Sequence, residues 1–401
     1  MGLNYTDRGR ASSHANTAPQ AAPAHPGPDT AHSDEHLRGL SREEALGLSK
    51  QERLAWFKLV QVGHRELQRV AGDVLELMSP HNDVKLISII GMTGIGKTTL
   101  ANYLRLGLSE IYAPDAKPSE CPVLYVHAPA NGEKSLSWKV LYRRILEAAH
   151  EPAIEAKRRA VVKDGELRAV RDSRQSVAAL REYVEKMLAH RKVRALIIDE
   201  ALHLLRFSDY AAIMDTLKSL ADIESTKIIL IGTYQIAPLM TEYGQVVRRS
   251  ETVHYARYQA NPKAGHAPNK DEQEYLNQLV KFEANWPCKM VPDLQAAWRP
   301  LMHASLGSIG LTKSMLLRLA ALQMNDRDEA LHASYFAKAF RAPQNLRIIE
   351  EETVRGESTL AGCCYGEGML TEEWTLTLMG KASPSKVEGD SKPVRQEPRA
   401  C

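Results

Sequence analysis

Residues 86–100 read LISIIGMTGIGKTTL, and this stretch decides the fold. An apolar run, Leu86-Ile87-Ser88-Ile89-Ile90, has the composition of a buried strand and leads straight into Gly91-Met92-Thr93-Gly94-Ile95-Gly96-Lys97-Thr98. That is the complete G-x-x-x-x-G-K-[ST] pattern, set between a strand-like run and a helix-like run. Glycines let the loop wrap so that successive N–H groups point at one anion, and the following helix adds its positive N-terminal end. Lys97 is placed to reach the β- and γ-phosphates, and the Thr98 hydroxyl to ligate Mg²⁺. The spacing predicts a nucleoside-triphosphate site formed by Gly91, Thr93, Gly94, Ile95, Gly96, Lys97, Thr98 and Thr99.

Downstream of the loop, short apolar runs alternate with helical periodicity. Strands are predicted at Leu86–Ile90, Val123–His127, Ala195–Ile198 and Lys227–Ile231. Helices are predicted near Thr98–Leu108, Lys134–Ala149, Ser176–His190 and Tyr210–Asp222. Runs that are apolar throughout suit a parallel sheet buried on both faces, and strands alternating with helices imply an α/β layered domain. Ligands of such sheets bind at the carboxyl ends of the strands, where the glycine loop falls.

The strand Ala195-Leu196-Ile197-Ile198 runs into Asp199-Glu200. A buried strand ending in two acids is costly unless they have work to do. Asp199 at the tip is placed to hold Mg²⁺, and Glu200 to orient and polarise the water that attacks a γ-phosphate. A further strand ends in Gly232-Thr233-Tyr234-Gln235. Thr233 is a candidate to bond the attacking water or the γ-phosphate, and the same residues equally fit ordinary turn chemistry. The adjacent Arg248 and Arg249 are candidates for an arginine finger inserted into a neighbouring subunit, the alternative being a solvated basic turn.

The bounds set by composition agree. A chain of 401 residues can bury one large core plus a smaller companion, and 44% hydrophobic with 25% charged residues is ordinary for a globular protein. A net charge of +3 is too small to argue for nucleic acid without local clustering. Cys121, Cys288, Cys363, Cys364 and Cys401 show no metal-type spacing, and their odd number argues against a disulfide framework, so a reduced, cytoplasmic setting is expected. No stretch reaches the ~20 apolar residues of a membrane span. Residues 1–41 and 381–401 are rich in small and polar residues and read as disordered tails. Ser41, with Glu44 as its capping-box partner, starts helical stretches at Glu43–Leu59 and His64–Met78. The expected organisation is a nucleotide-binding α/β unit with N-terminal helices over 42–260 and a helical lid with C-terminal extension over 261–380.

Taken in order, Gly91–Thr98, IIDEALHLL at Ile197–Leu205, IGTYQ at Ile231–Gln235 and the Arg248-Arg249 pair resemble the AAA+ ATPases. More narrowly, they resemble transposition regulators of the TniB/TnsC type, in which the acidic strand is likewise followed by a His and Leu-Leu. The resemblance covers roughly Gly63 to Leu322. It implies a three-layer P-loop parallel sheet with a smaller α-helical lid, and ATP with Mg²⁺ as ligands. It also implies homo-oligomerisation on double-stranded DNA as a ring or helical filament, and contacts with a transposase and a target-selection protein. By this resemblance Lys97 and Thr98 hold phosphate and metal, Asp199 and Glu200 are the Walker B acids, and Thr233 occupies the sensor-1 position. Arg249 is the finger with Arg248 beside it, although Ser250 stands where the family usually has a hydrophobic or aromatic residue. The lid is expected around Asp271–Ala321, with Lys313 at or near the sensor-2 position; a solvated helix-start lysine is the alternative.

Arg143, Arg144, Lys157, Arg158, Arg159, Arg171 and Arg174 cluster between the second strand and the acidic strand. On one face they would neutralise duplex phosphates without reading sequence. Interleaved acids such as Glu151, Glu155 and Asp164 equally allow a mixed, solvated helix. The alternative function is a signalling NTPase switch of the STAND type that does not act on DNA.

Overall fold

The computed structural model describes residues 35–129, 138–154, 160–163, 166–169, 176–205, 210–223, 226–237, 248–261 and 267–361. Five parallel strands form the main sheet: β1 (Leu86–Gly91), β2 (Val123–His127), β5 (Ala195–Asp199), β6 (Lys227–Gly232) and β7 (Ser250–Tyr255). Their spatial order is β2-β5-β6-β1-β7. Every residue of β1, β5 and β6 is buried. Because neighbouring side chains point to opposite faces, both faces of these central strands are covered, which is what their Leu/Ile-rich runs require.

Helices α3 (Arg65–Leu77), α4 (Lys97–Tyr112), α5 (Trp138–Ala148), α6 (Val177–His190) and α8 (Tyr210–Ala221) contribute to the core around the sheet. α7 is the single turn Leu202–Leu205. The sheet is that of a three-layer P-loop fold, with one strand, β6, inserted between the strand that carries the glycine loop and the strand that carries the acids.

Three elements differ from the sequence expectation. The stretch Glu43–Leu59 is two helices, α1 (Arg42–Leu46) and α2 (Lys50–Leu59), because Gly47 ends the first and Ser49 starts a second capping box with Glu52. Two short strands, β3 (Ala160–Lys163) and β4 (Glu166–Ala169), pair antiparallel where a solvated helix was the alternative to a DNA-binding face. The edge strand β7 begins immediately after the arginine pair; Glu251 and His254 are half-buried and its other residues buried, as fits a strand at the sheet margin.

A second core lies apart from the sheet. It joins α9 (Lys270–Ala284), α10 (Trp298–Ala304) and α11 (Ile309–Asn325) through Tyr275, Phe282, Trp286 and Leu316. The first two helices belong to this cluster through Ala45, Trp56 and Phe57, not to the sheet. Arg42 donates to the carbonyls of Trp286 and Cys288, and Arg53 is ion-paired with Glu329. α12 (Ala333–Ala339) follows, and α13 (Pro343–Leu360) returns to the sheet core, where Leu360 is buried. No described helix is long and apolar enough to cross a membrane.

Candidate nucleotide site

The carboxyl ends of β1, β5, β6 and β2 converge on one site. From β1 the chain turns through Gly94 and Gly96, whose φ of +81° and +112° lie in the left-handed region, into α4. The loop's Thr93 and Gly94 are exposed, Ile95 is buried, and Thr98 and Thr99 are exposed on the first turn of α4. Lys97 donates from Nζ to the carbonyls of Gly91 (3.1 Å) and Met92 (2.8 Å). Burial pushes its pKa down to about 8, opposed by the nearby carboxylates of Asp199, Glu352 and Glu200.

Asp199, buried at the tip of β5, is the hub of the acidic side. Its Oδ2 accepts from the Thr98 hydroxyl at 3.0 Å and from the Tyr125 hydroxyl at 3.1 Å, and its Oδ1 accepts from the Glu200 N–H at 2.8 Å. Thus the loop and the acidic strand, a hundred residues apart, share one hydrogen bond. Glu200 holds a left-handed backbone, φ +55°, rare for a residue with a side chain and a mark of functional turns. Its carboxylate is half-exposed and meets the His203 ring at 3.3 Å.

Thr233 follows β6 directly, and its Oγ1 is buried with no hydrogen-bond partner among the described residues. A buried hydroxyl without a partner is costly, and it fits a position that a ligand oxygen completes. Among the described residues no group of three or more His, Cys, Asp or Glu side chains could hold a metal alone. The hard-oxygen pair Thr98 and Asp199 therefore fits Mg²⁺ only as a partial set, completed by phosphate and water, which is the usual mode for this ion.

The helical core supplies the other wall. α11 begins against the loop: Ser308, its N-cap, donates from Oγ to the Gly94 carbonyl at 3.0 Å. A Cβ on Gly310 would run into that carbonyl and lie 2.9 Å from the Ile95 carbonyl carbon, so only glycine permits this approach. Beside it, Val60, Val62, Ile95, Gly96, Tyr255 and Lys313 line a small cavity of about 50 Å³. Lys313 donates to the carbonyls of Lys58 (2.8 Å) and Val60 (2.5 Å), and burial pushes its pKa down to about 8. It therefore sits on the loop's Gly96–Thr99 side, tied to the end of α2. Tyr255 is fixed by His64, whose ring bonds the hydroxyls of Tyr255 (3.1 Å) and Tyr258 (3.0 Å); burial pushes the His64 pKa down to about 4.

The arginine pair lies elsewhere. The Arg249 carbonyl accepts from the N–H groups of Lys85 and Leu86, at the amino end of β1. Six strand residues, roughly 20 Å, separate it from the loop. Its guanidinium is half-exposed and pairs with Asp222 at 3.1 Å, and Arg248 beside it is exposed. Of the basic cluster, Arg144 donates to the His127 carbonyl at 2.8 Å, at the carboxyl end of β2, with Arg143 adjacent on α5. Lys157, Arg158, Arg159, Arg171 and Arg174 lie outside the described residues.

Sequence reading missed Tyr125, His203 as a partner of Glu200, and α13. Tyr125 and His127 share a face of β2, but nothing local says that β2 lies beside β5. α13 packs over the turn after β6: a Cβ on Gly356 would run into the Tyr234 ring, and Arg257 bonds Glu357 at 2.8 and 3.1 Å.

Residues 81–240 match the protein family described as AAA domain. Among solved structures, the chain is similar to the Aeropyrum pernix ORC2 protein, at 16% identity and TM-score 0.44, covering 78% of this chain and 84% of that one. It is similar to the Aeropyrum pernix ORC1 protein solved in complex with DNA, at 17% identity and TM-score 0.48, covering 73% and 70%. The Walker-type ATPase of Pyrococcus abyssi matches at 15% identity and TM-score 0.44, covering 75% and 78%. A search of curated proteins finds no match.

Proposed function

We propose that this chain binds and hydrolyses ATP, that its copies assemble on duplex DNA, and that the ATP-bound assembly regulates transposition by recruiting a transposase to a site chosen by a target-selection protein. The observation that carries the ATPase reading is the 3.0 Å bond between Thr98 and Asp199, which joins a complete phosphate loop to a buried acid at the strand ends. Their oxygens would hold Mg²⁺, which when bound with the nucleotide neutralises phosphate charge. Lys97 exchanges its loop carbonyls for phosphate oxygens, a stronger interaction for a desolvated ammonium. Glu200 orients the attacking water and takes up its proton at the carboxylate, while the unpartnered Thr233 hydroxyl donates to the γ-phosphate. The cavity beside Gly96 takes the base once α11 or the residue 60–64 segment gives way, since about 50 Å³ is less than a purine occupies.

At roughly 20 Å from its own loop, Arg249 serves a neighbouring copy or no site at all. That favours a head-to-tail contact, which closes into a ring or continues as a helical filament. The transposition reading rests on the motif order Gly91–Thr98, Asp199-Glu200-Ala201-Leu202-His203-Leu204-Leu205, Thr233 and Arg248-Arg249. Negative-stain microscopy with linear duplex DNA tests it. Rings or filaments on DNA with a non-hydrolysable ATP analogue, absent with ADP, are expected. Nucleotide-dependent oligomers that ignore DNA would favour a signalling switch instead.

A further inference from the structure

Glu200 does not stand alone. Its carboxylate lies 3.3 Å from His203 Nε2, one helical turn on, and the two are also joined by the His203 N–H bond to the Glu200 carbonyl at 2.9 Å. An exposed pair at this spacing is worth little, but this one is not freely exposed. The His203 side chain is only 19% accessible, and the turn is pinned to the sheet by the Ala201 N–H bond to the Ile231 carbonyl at 2.9 Å.

The other ring nitrogen decides the chemistry. His203 Nδ1 is buried and has no hydrogen-bond partner among the described residues. A buried, unpartnered nitrogen is a cost that leucine at this position would avoid. A ring nitrogen that faces a carboxylate oxygen is favourable only when it carries a proton, and no described residue accepts one at Nδ1, so the His203 nitrogen turned to Glu200 is the protonated Nε2.

We propose that His203 is the positioning residue for Glu200, resting on the reading of Glu200 as the water-orienting acid. The left-handed backbone of Glu200 sets the direction of its side chain, and the His203 ring lies 3.3 Å from Oε2, a contact that tightens into a hydrogen bond when nucleotide orders the site and leaves Oε1 turned to the attacking water. One carboxylate oxygen held and one free gives the water one orientation, where a rotating carboxylate would offer many. His203 touches neither nucleotide nor metal; it acts through Glu200.

The test compares His203→Leu and His203→Gln with wild type in full-length protein, measuring melting temperature, affinity for a fluorescent ATP analogue and single-turnover ATP hydrolysis. His203→Leu removes the unpartnered nitrogen, so its melting temperature should hold or rise. Its hydrolysis should fall roughly ten- to a hundredfold with nucleotide affinity unchanged. His203→Gln keeps a donor and should recover part of the rate. Hydrolysis equal to wild type in His203→Leu overturns the proposal, and so does faster hydrolysis, which would make His203 a restraint on Glu200. Loss of affinity parallel to loss of rate also overturns it, as a structural role. Absence of hydrolysis from wild type itself would overturn the ATPase reading and this proposal together, so the two failures are distinguishable.

Discussion

Lys97 is a half-buried cation on the loop, with the carboxylates of Asp199, Glu352 and Glu200 in its field and its amine on the carbonyls of Gly91 and Met92. Burial pushes its pKa down from the usual 10.5 to about 8. The penalty on the charged form is present below about pH 8 and is relieved as pH rises towards 10.5, so folding stability should rise over that window. Nucleotide binding runs the other way. A bound triphosphate favours the ammonium, so binding takes up a proton wherever the free site is already neutral. Affinity for a fluorescent ATP analogue should be flat below pH 8 and fall up to about tenfold per unit above it. Lys313 is also pushed down to about 8, and its amine is tied to the end of α2. Lys313→Met should therefore leave the slope intact, while a flat profile in the wild type would contradict this account of Lys97.

At the scale of elements, two helices close the site from outside the sheet. α11 meets the phosphate loop through Gly310 and Ser308, so Gly310→Ala must lift the helix or bend the loop. Nucleotide affinity should drop at least about tenfold, with a stability loss of about 1–3 kcal/mol by urea melting. α13 meets the turn after β6 through Gly356. Gly356→Val should speed hydrogen exchange in residues 343–360 while β1 stays protected; unchanged exchange there would show that the helix docks by other means. Neither contact was legible in the sequence. The loop and the acidic strand tip were, because each is a contiguous chemical pattern: Gly91–Thr98 and Asp199-Glu200 carry their reasons in their own residues. Tyr125, Gly310 and Gly356 gain their roles only once β2 is paired with β5 and the helices are laid against the loop and Tyr234. The break at Gly47–Ser49 was written locally, but the amphipathic run on either side of it reads as one helix. The segment Ser250–Tyr255 carries only two strongly apolar side chains, Val253 and Tyr255, and its strand was overshadowed by the arginines before it.

The whole molecule has two cores that meet at the nucleotide site: the sheet with its helices, and the helical cluster that recruits α1 and α2. Arg248 and Arg249 lie at the opposite end of the strands from the loop. If Arg249 acts across a subunit contact, Arg249→Ala should bind ATP normally yet hydrolyse it at least about a hundredfold more slowly. Mixing Arg249→Ala with Lys97→Ala should then restore activity, because a Lys97→Ala copy still offers its arginine to a neighbour's intact loop. No recovery on mixing would place the finger elsewhere. The central claim, that Gly91–Thr98 and the acids of β5 form one ATP-hydrolysing site, is tested most directly by Glu200→Gln. Affinity for ATP and single-turnover hydrolysis should be measured on the same preparation. The account predicts affinity within about threefold of wild type and hydrolysis lower by about a hundredfold or more. Hydrolysis at the wild-type rate in Glu200→Gln would contradict it.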